Sequence, residues 1–167
     1  MGSTKADLYA TMLEETAKST AGAAAKVSAE KHFKVIQEGK AHPLWLVGHL
    51  ANTNNLLINM WCCNGESLLP KHYGKIFAPD FAGGAPITVD PATYPSWDEL
   101  LEQYKTVAAK CAEGIRTLDD ATLAGELRGG APDQMKQIFG NTEKTLRSII
   151  AHDSYHRGQM ALIVALK

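Results

Sequence analysis

Cysteine is scarce: three residues in a chain of 167, an odd number with Cys62 and Cys63 adjacent. Such a set makes no disulfide framework, and a reducing cytoplasm is the compartment it implies. Neither sign of charge is in excess. Seventeen Lys and Arg face 18 Asp and Glu, for a net charge of −1, so no basic field attracts phosphate backbones or acidic lipid. Nucleic-acid binding is therefore not expected. No run of about 18 apolar residues occurs, so no helix is expected to span a membrane. The opening Met-Gly-Ser-Thr-Lys-Ala lacks the apolar core of a signal peptide. It begins like an N-myristoylation site, but Ala6 stands where Ser or Thr is wanted. Internal repeats, low-complexity segments and strand-rich regions are missing as well. Proline is sparse and unevenly placed: of seven in the chain, Pro70, Pro79, Pro86, Pro91 and Pro95 crowd into residues 66–95.

What remains reads as helices. The hydrophobic fraction of 45% and charged fraction of 21% suit one globular domain over residues 1–167. A first helix is expected from about Ser3 to Lys26, with Leu8, Met12 and the alanines from Ala21 to Ala25. Ser28 looks like the N-cap of a short helical turn running through Ile36 to Gly39, with His32 on a solvated polar face. Pro43 suits the first position of a second helix, which continues through Trp61 to Asn64-Gly65. Its near-continuous apolar run implies burial on more than one side. Residues 66–95 form a long irregular connection. Its aromatics, Tyr73, Phe77, Phe81 and Tyr94, argue that it packs down over one end of the molecule, with Tyr73, Phe77 or Phe81 lining a pocket. Ser96-Trp97-Asp98-Glu99 is a capping box opening a third helix through Leu100, Tyr104, Val107, Cys111 and Ile115 to about Leu118. Met135 to Phe139 reads as a short strand or turn. A fourth helix begins at Asn141 or Thr142 and runs through Val164. The fold class expected is all-α: a four-helix bundle with a long crossover connection between helices 2 and 3.

The chemistry gathers around His152 and His156. Four residues apart on a helix, they share one face, and Ile149 and Ile163 at helical spacing place that face toward the core. Two neutral imidazoles one turn apart can share a metal ion; a hydrogen-bonded core pair is the alternative. A metal needs a third ligand, and it must come from upstream. His49, on the buried stripe Trp45, His49, Asn52, Leu56 and Met60, is the candidate, and Gly48 beside it permits close approach of a neighbour. His152-Asp153-Ser154-Tyr155-His156 superficially resembles the zincin motif, with Asp153 in place of the glutamate base and no downstream room for the third ligand. Asp153 reads instead as structural, paired with Arg157 at i,i+4. His42 reads as a surface or capping residue and His72 as a solvated loop residue. Cys62 and Cys63 read as buried small hydrophobes, with a redox site as the alternative. Tyr155 and Gln159 are candidates to support the histidines.

These motifs resemble the DinB-like (YfiT-like) superfamily of four-helix-bundle metalloenzymes. The matching pieces are Trp45-Leu46-Val47-Gly48-His49-Leu50-Ala51 and His152-x-x-x-His156-Arg157-Gly158-Gln159. The resemblance implies that His49, His152 and His156 form a metal-binding triad for a divalent ion, zinc or nickel, in a homodimer. It further implies a small-molecule substrate. For some members that means thiol transfer or thiol-dependent isomerisation with a low-molecular-weight thiol. A metal-dependent hydrolase and a bundle with a purely structural metal are the other readings.

Overall fold

The structure is a computed structural model and describes residues 4–166. The opening Met-Gly-Ser, the Ser3 start expected for the first helix, and Lys167 lie outside it. Seven α-helices follow in order: α1 (Thr4–Ala24), α2 (Pro43–Thr53), α3 (Tyr73–Ile76), α4 (Trp97–Arg116), α5 (Asp120–Ala124), α6 (Asp133–Phe139) and α7 (Thr142–Ala165). A π-helical segment, Asn54–Cys62, prolongs α2 without a break. The all-α expectation is met: among the described residues there is no strand, only an isolated bridge between Glu126 and Asn141. α1 packs on α4 and α7, and α2 also packs on α4 and α7.

The helix starts follow from local chemistry. Pro43 opens α2, where its missing N–H costs nothing, and the His42 ring accepts from the Trp45 amide at 3.1 Å. At α4 the Ser96 hydroxyl accepts from the Glu99 amide at 3.3 Å. The Glu99 carboxylate turns instead to the Gln103 amide at 3.1 Å, so only half of the expected capping box forms. Asn141 caps α7 by accepting from the Lys144 amide at 2.9 Å.

Several expectations need correcting. In α1 the buried seam is Ala6, Ala10, Leu13, Ala17, Thr20 and Ala24, spaced four and three in alternation, whereas Leu8 and Met12 face solvent. Short side chains let α1 lie close to α4 and α7, and an alanine seam carries little hydrophobic signal. The turn after Ser28 is a 3₁₀ segment of three residues, Ala29–Lys31, without a side-chain cap. His32 is half-buried rather than fully solvated; its ring stacks on Trp97 with centroids 4.0 Å apart. Residues 133–139 form α6 rather than a strand or turn. Pro132 precedes that helix, and Gly140 ends it with φ 76°, a left-handed backbone that glycine tolerates.

The connection after α2 packs down, as its aromatics suggest. Tyr73 and Phe77 are buried, and the Trp45 indole N–H donates to the Ile76 carbonyl at 2.9 Å. Phe81, however, is 86% exposed.

Candidate metal centre

The site is built where α2, α3 and α7 meet. At Gly48 a Cβ would stand 2.1–2.5 Å from atoms of the Phe77 ring, so only glycine lets that ring lie on the helix. The close approach brings the Phe77 carbonyl over the next residue, and His49 donates Nδ1–H to it at 2.8 Å. The His49 ring also stacks on Trp45, with centroids 4.6 Å apart and planes 11° from parallel. His49 is thereby fixed in position and in tautomer: the proton is on Nδ1 and the lone pair on Nε2.

α7 supplies the other two rings. His156 donates Nδ1–H to Gln159 Oε1 at 2.5 Å. The Gln159 amide in turn donates to the Tyr155 hydroxyl at 3.4 Å, which keeps its oxygen toward His156. So the support expected of Gln159 and Tyr155 is present as contacts. His152 lies between the others, its Nε2 3.2 Å from that of His49 and 3.0 Å from that of His156. The structure thus brings His49, 103 positions upstream of His152, to the pair on α7. The candidate ligand atoms of the three all lie within 4.8 Å of one another.

This arrangement fits a cation. With both Nδ1 protons given to oxygen acceptors, the Nε2 atoms of His49 and His156 carry lone pairs, and both face His152. One N–H on His152 Nε2 could serve only one of them well. His152 Nδ1 is buried with no hydrogen-bond partner, an uncommon condition for a buried polar atom. If Nδ1 carries the ring's proton instead, all three inward nitrogens are bare. A metal ion is the group that satisfies three converging lone pairs at once.

Electrostatics agree. Burial pushes His49 down to about 4, against a smaller upward pull from the Phe77 carbonyl. Burial, with the two neighbouring histidines, pushes His152 down to about 3. His156 is also lowered, chiefly by burial. The rings are therefore neutral at pH 7, the state in which imidazole binds metal.

A stability prediction follows for metal-free protein. The unfolded histidine value is about 6.5 and the folded values lie below it. Between them the unfolded chain binds more protons, so stability falls as pH drops below about 6.5. Urea midpoints of chelator-treated protein should decrease from pH 7 to pH 5, a range in which most carboxylates stay ionised. A flat profile would contradict buried neutral imidazoles.

The remaining candidates take other places. His42 caps α2, as one reading held, but it is fully buried rather than at the surface; its Nε2–H donates to the Thr88 carbonyl at 2.9 Å. His72 is exposed on the loop, against the ring of Tyr73, and does not belong to the cluster. Cys62 and Cys111 are buried and Cys63 half-buried. Burial pushes all three thiols up, Cys63 to about 11. They are thiols rather than thiolates at neutral pH, which fits the small-hydrophobe reading and not a redox site. Asp153 makes no ion pair with Arg157. It is fully buried and accepts from the hydroxyls of Thr20 and Tyr104. Sequence reasoning missed the Phe77 carbonyl, which as backbone leaves no trace, and Tyr104, whose place in a core stripe signals a hydroxyl in need of a partner.

No curated protein is similar enough in sequence to be matched. The sequence model of the DinB superfamily matches residues 12–160, a span holding most of α1, all of α2 and α4, and all three histidines.

Proposed function

The chain belongs to the DinB superfamily, and from that membership and its three converging imidazoles we propose that it binds a divalent metal ion through His49, His152 and His156. The observation that carries this reading is the fixed tautomer of two rings, whose Nε2 lone pairs meet a third ring with an orphaned Nδ1. An all-nitrogen donor set suits zinc or nickel over magnesium or calcium. Three protein ligands leave a position for water or substrate, as catalytic rather than structural sites do. Bound there, the ion would supply Lewis acidity that lowers the pKa of a coordinated water or thiol.

The protein's own contribution is orientation. The Phe77 carbonyl and Trp45 hold His49, and Gln159 holds His156. Acceptors of this kind fix ring direction and raise ligand basicity. The family resemblance directs the substrate class to a low-molecular-weight thiol and a small molecule, in a thiol transfer or thiol-dependent isomerisation. Hydrolysis, or a metal that only fastens α2 to α7, are the alternatives. The same reading makes the chain a single-domain four-helix bundle with a crossover between its second and third long helices, acting as a cytoplasmic homodimer without nucleic-acid or membrane partners. Among the described residues no helix is long and apolar enough to cross a membrane.

The test is metal analysis of protein purified without a nickel column, followed by calorimetric titration of chelator-stripped protein with zinc and with nickel. One ion per chain, lost on substitution of any of the three histidines, is expected. Absence of binding by both metals sinks the proposal. A thiol-transfer screen of the loaded protein then separates the enzymatic readings from the fastener.

A further inference from the structure

Asp153 follows His152 directly, yet its side chain serves the opposite purpose. It is fully buried. Thr20 Oγ1 of α1 donates to Oδ1 at 2.5 Å, and the Tyr104 hydroxyl of α4 donates to Oδ2 at 2.6 Å. Both lengths fall in the range of charge-assisted O–H···O⁻ bonds. The carboxamide of Asn54, where the π-helical extension of α2 begins, lies close enough to act on this carboxylate; it is fully buried and makes no hydrogen bond. One side chain of α7 thus meets residues from each of the other three long helices. Burying a carboxylate is costly, and a well-packed apolar residue is often the better choice for stability alone. Direction is what the carboxylate adds.

Helix geometry states that direction. Successive residues turn by about 100°, so His152 and His156 both lie about 60–100° to the same side of Asp153. When the carboxylate is tied to α1 and α4, both imidazoles are turned toward His49 on α2. A rotation of α7 by about 10° would move an atom about 5–6 Å from the axis by roughly 1 Å. Metal–ligand distances tolerate only about 0.2 Å.

We propose that Asp153 is the positioning residue of the metal centre, setting the rotation of α7 through the Thr20 and Tyr104 hydroxyls so that His152 and His156 converge on His49. This rests on the metal-binding reading above. The test uses the full chain with Co(II) as probe, reading affinity and the visible absorption bands well below the lowest melting temperature of the set. Thr20→Val and Tyr104→Phe each delete one donor to Asp153 while keeping shape. Each should weaken Co(II) binding about tenfold, the low end of losses seen for outer partners of metal ligands, and shift the bands. Thr20→Ser, which restores the hydroxyl, should restore both readouts, and Asp153→Asn should show the largest loss. Variants that melt earlier but bind Co(II) with wild-type affinity and spectrum overturn the proposal and leave Asp153 a purely structural residue. Wild-type protein that binds neither cobalt nor zinc overturns the metal reading and this inference with it.

Discussion

Replacing His156 by alanine is expected to abolish metal binding and leave the fold intact. The substitution removes one of three converging Nε2 atoms, the one 3.0 Å from His152, and leaves two donors on different helices. The loss of affinity should exceed the 10–100-fold that accompanies loss of an outer partner. Stability has another source. Leu50, Leu57, Ile149, Ile150 and Ile163 are all buried, each burial is worth about 1.5–3 kcal/mol before chain entropy is subtracted, and none depends on the ion. Metal content after dialysis, far-UV circular dichroism and urea unfolding check the result. A variant unfolded at room temperature would show that binding free energy is folding free energy, and the fastener would then replace the catalytic reading.

The second large effect is expected at Gly48. Glycine inside a helix ordinarily costs about 0.5–1 kcal/mol relative to alanine, so Gly→Ala should stabilise wherever space allows. Gly22 in α1 is such a place, since a Cβ there meets nothing within 4 Å. At Gly48 the Cβ would overlap the Phe77 ring, whose residue also supplies the acceptor for His49 Nδ1. Overpacking of this kind costs about 1–3 kcal/mol. Displacing the carbonyl frees the His49 ring, with a further 10–100-fold loss of metal affinity. Gly22→Ala should therefore raise the melting temperature and keep the ion, whereas Gly48→Ala should lower both. Equal behaviour of the two variants would mean that the Phe77 contact does not position the ring.

These expectations draw on parts of the protein that differ in how far the sequence reveals them. The starts of α2, α4 and α7 are legible because Pro43, Ser96 and Asn141 act on neighbours within a turn. The histidine cluster is legible because a metal needs a third donor and His49 lies on a buried stripe. α1 is half legible. Its length follows from propensity, but alanine and threonine at the seam are too weakly apolar to outvote Leu8 and Met12, which face solvent. α6 was obscured by its brevity, since seven residues are too few for periodicity to separate helix from strand. The structural reading of Asp153 holds but its partner differs, because the i,i+4 rule is local, while Thr20 and Tyr104 lie 133 and 49 positions away. The Phe77 carbonyl is backbone, and only Gly48 hints at the ring that carries it.

The 103 positions between His49 and His152 also set a schedule. At about 5–20 residues per second, a ribosome takes roughly 5–20 s to make that stretch. Throughout that interval α2, every residue of which is buried in the finished structure, lacks α7 to lie against, and until Arg116 is made it lacks a complete α4 as well. A lone imidazole retains no ion, so on the metal-binding proposal loading must follow the docking of α7. Chains stalled on the ribosome before Thr142 emerges should carry none, and acquisition of the ion would mark the moment at which assembly is complete.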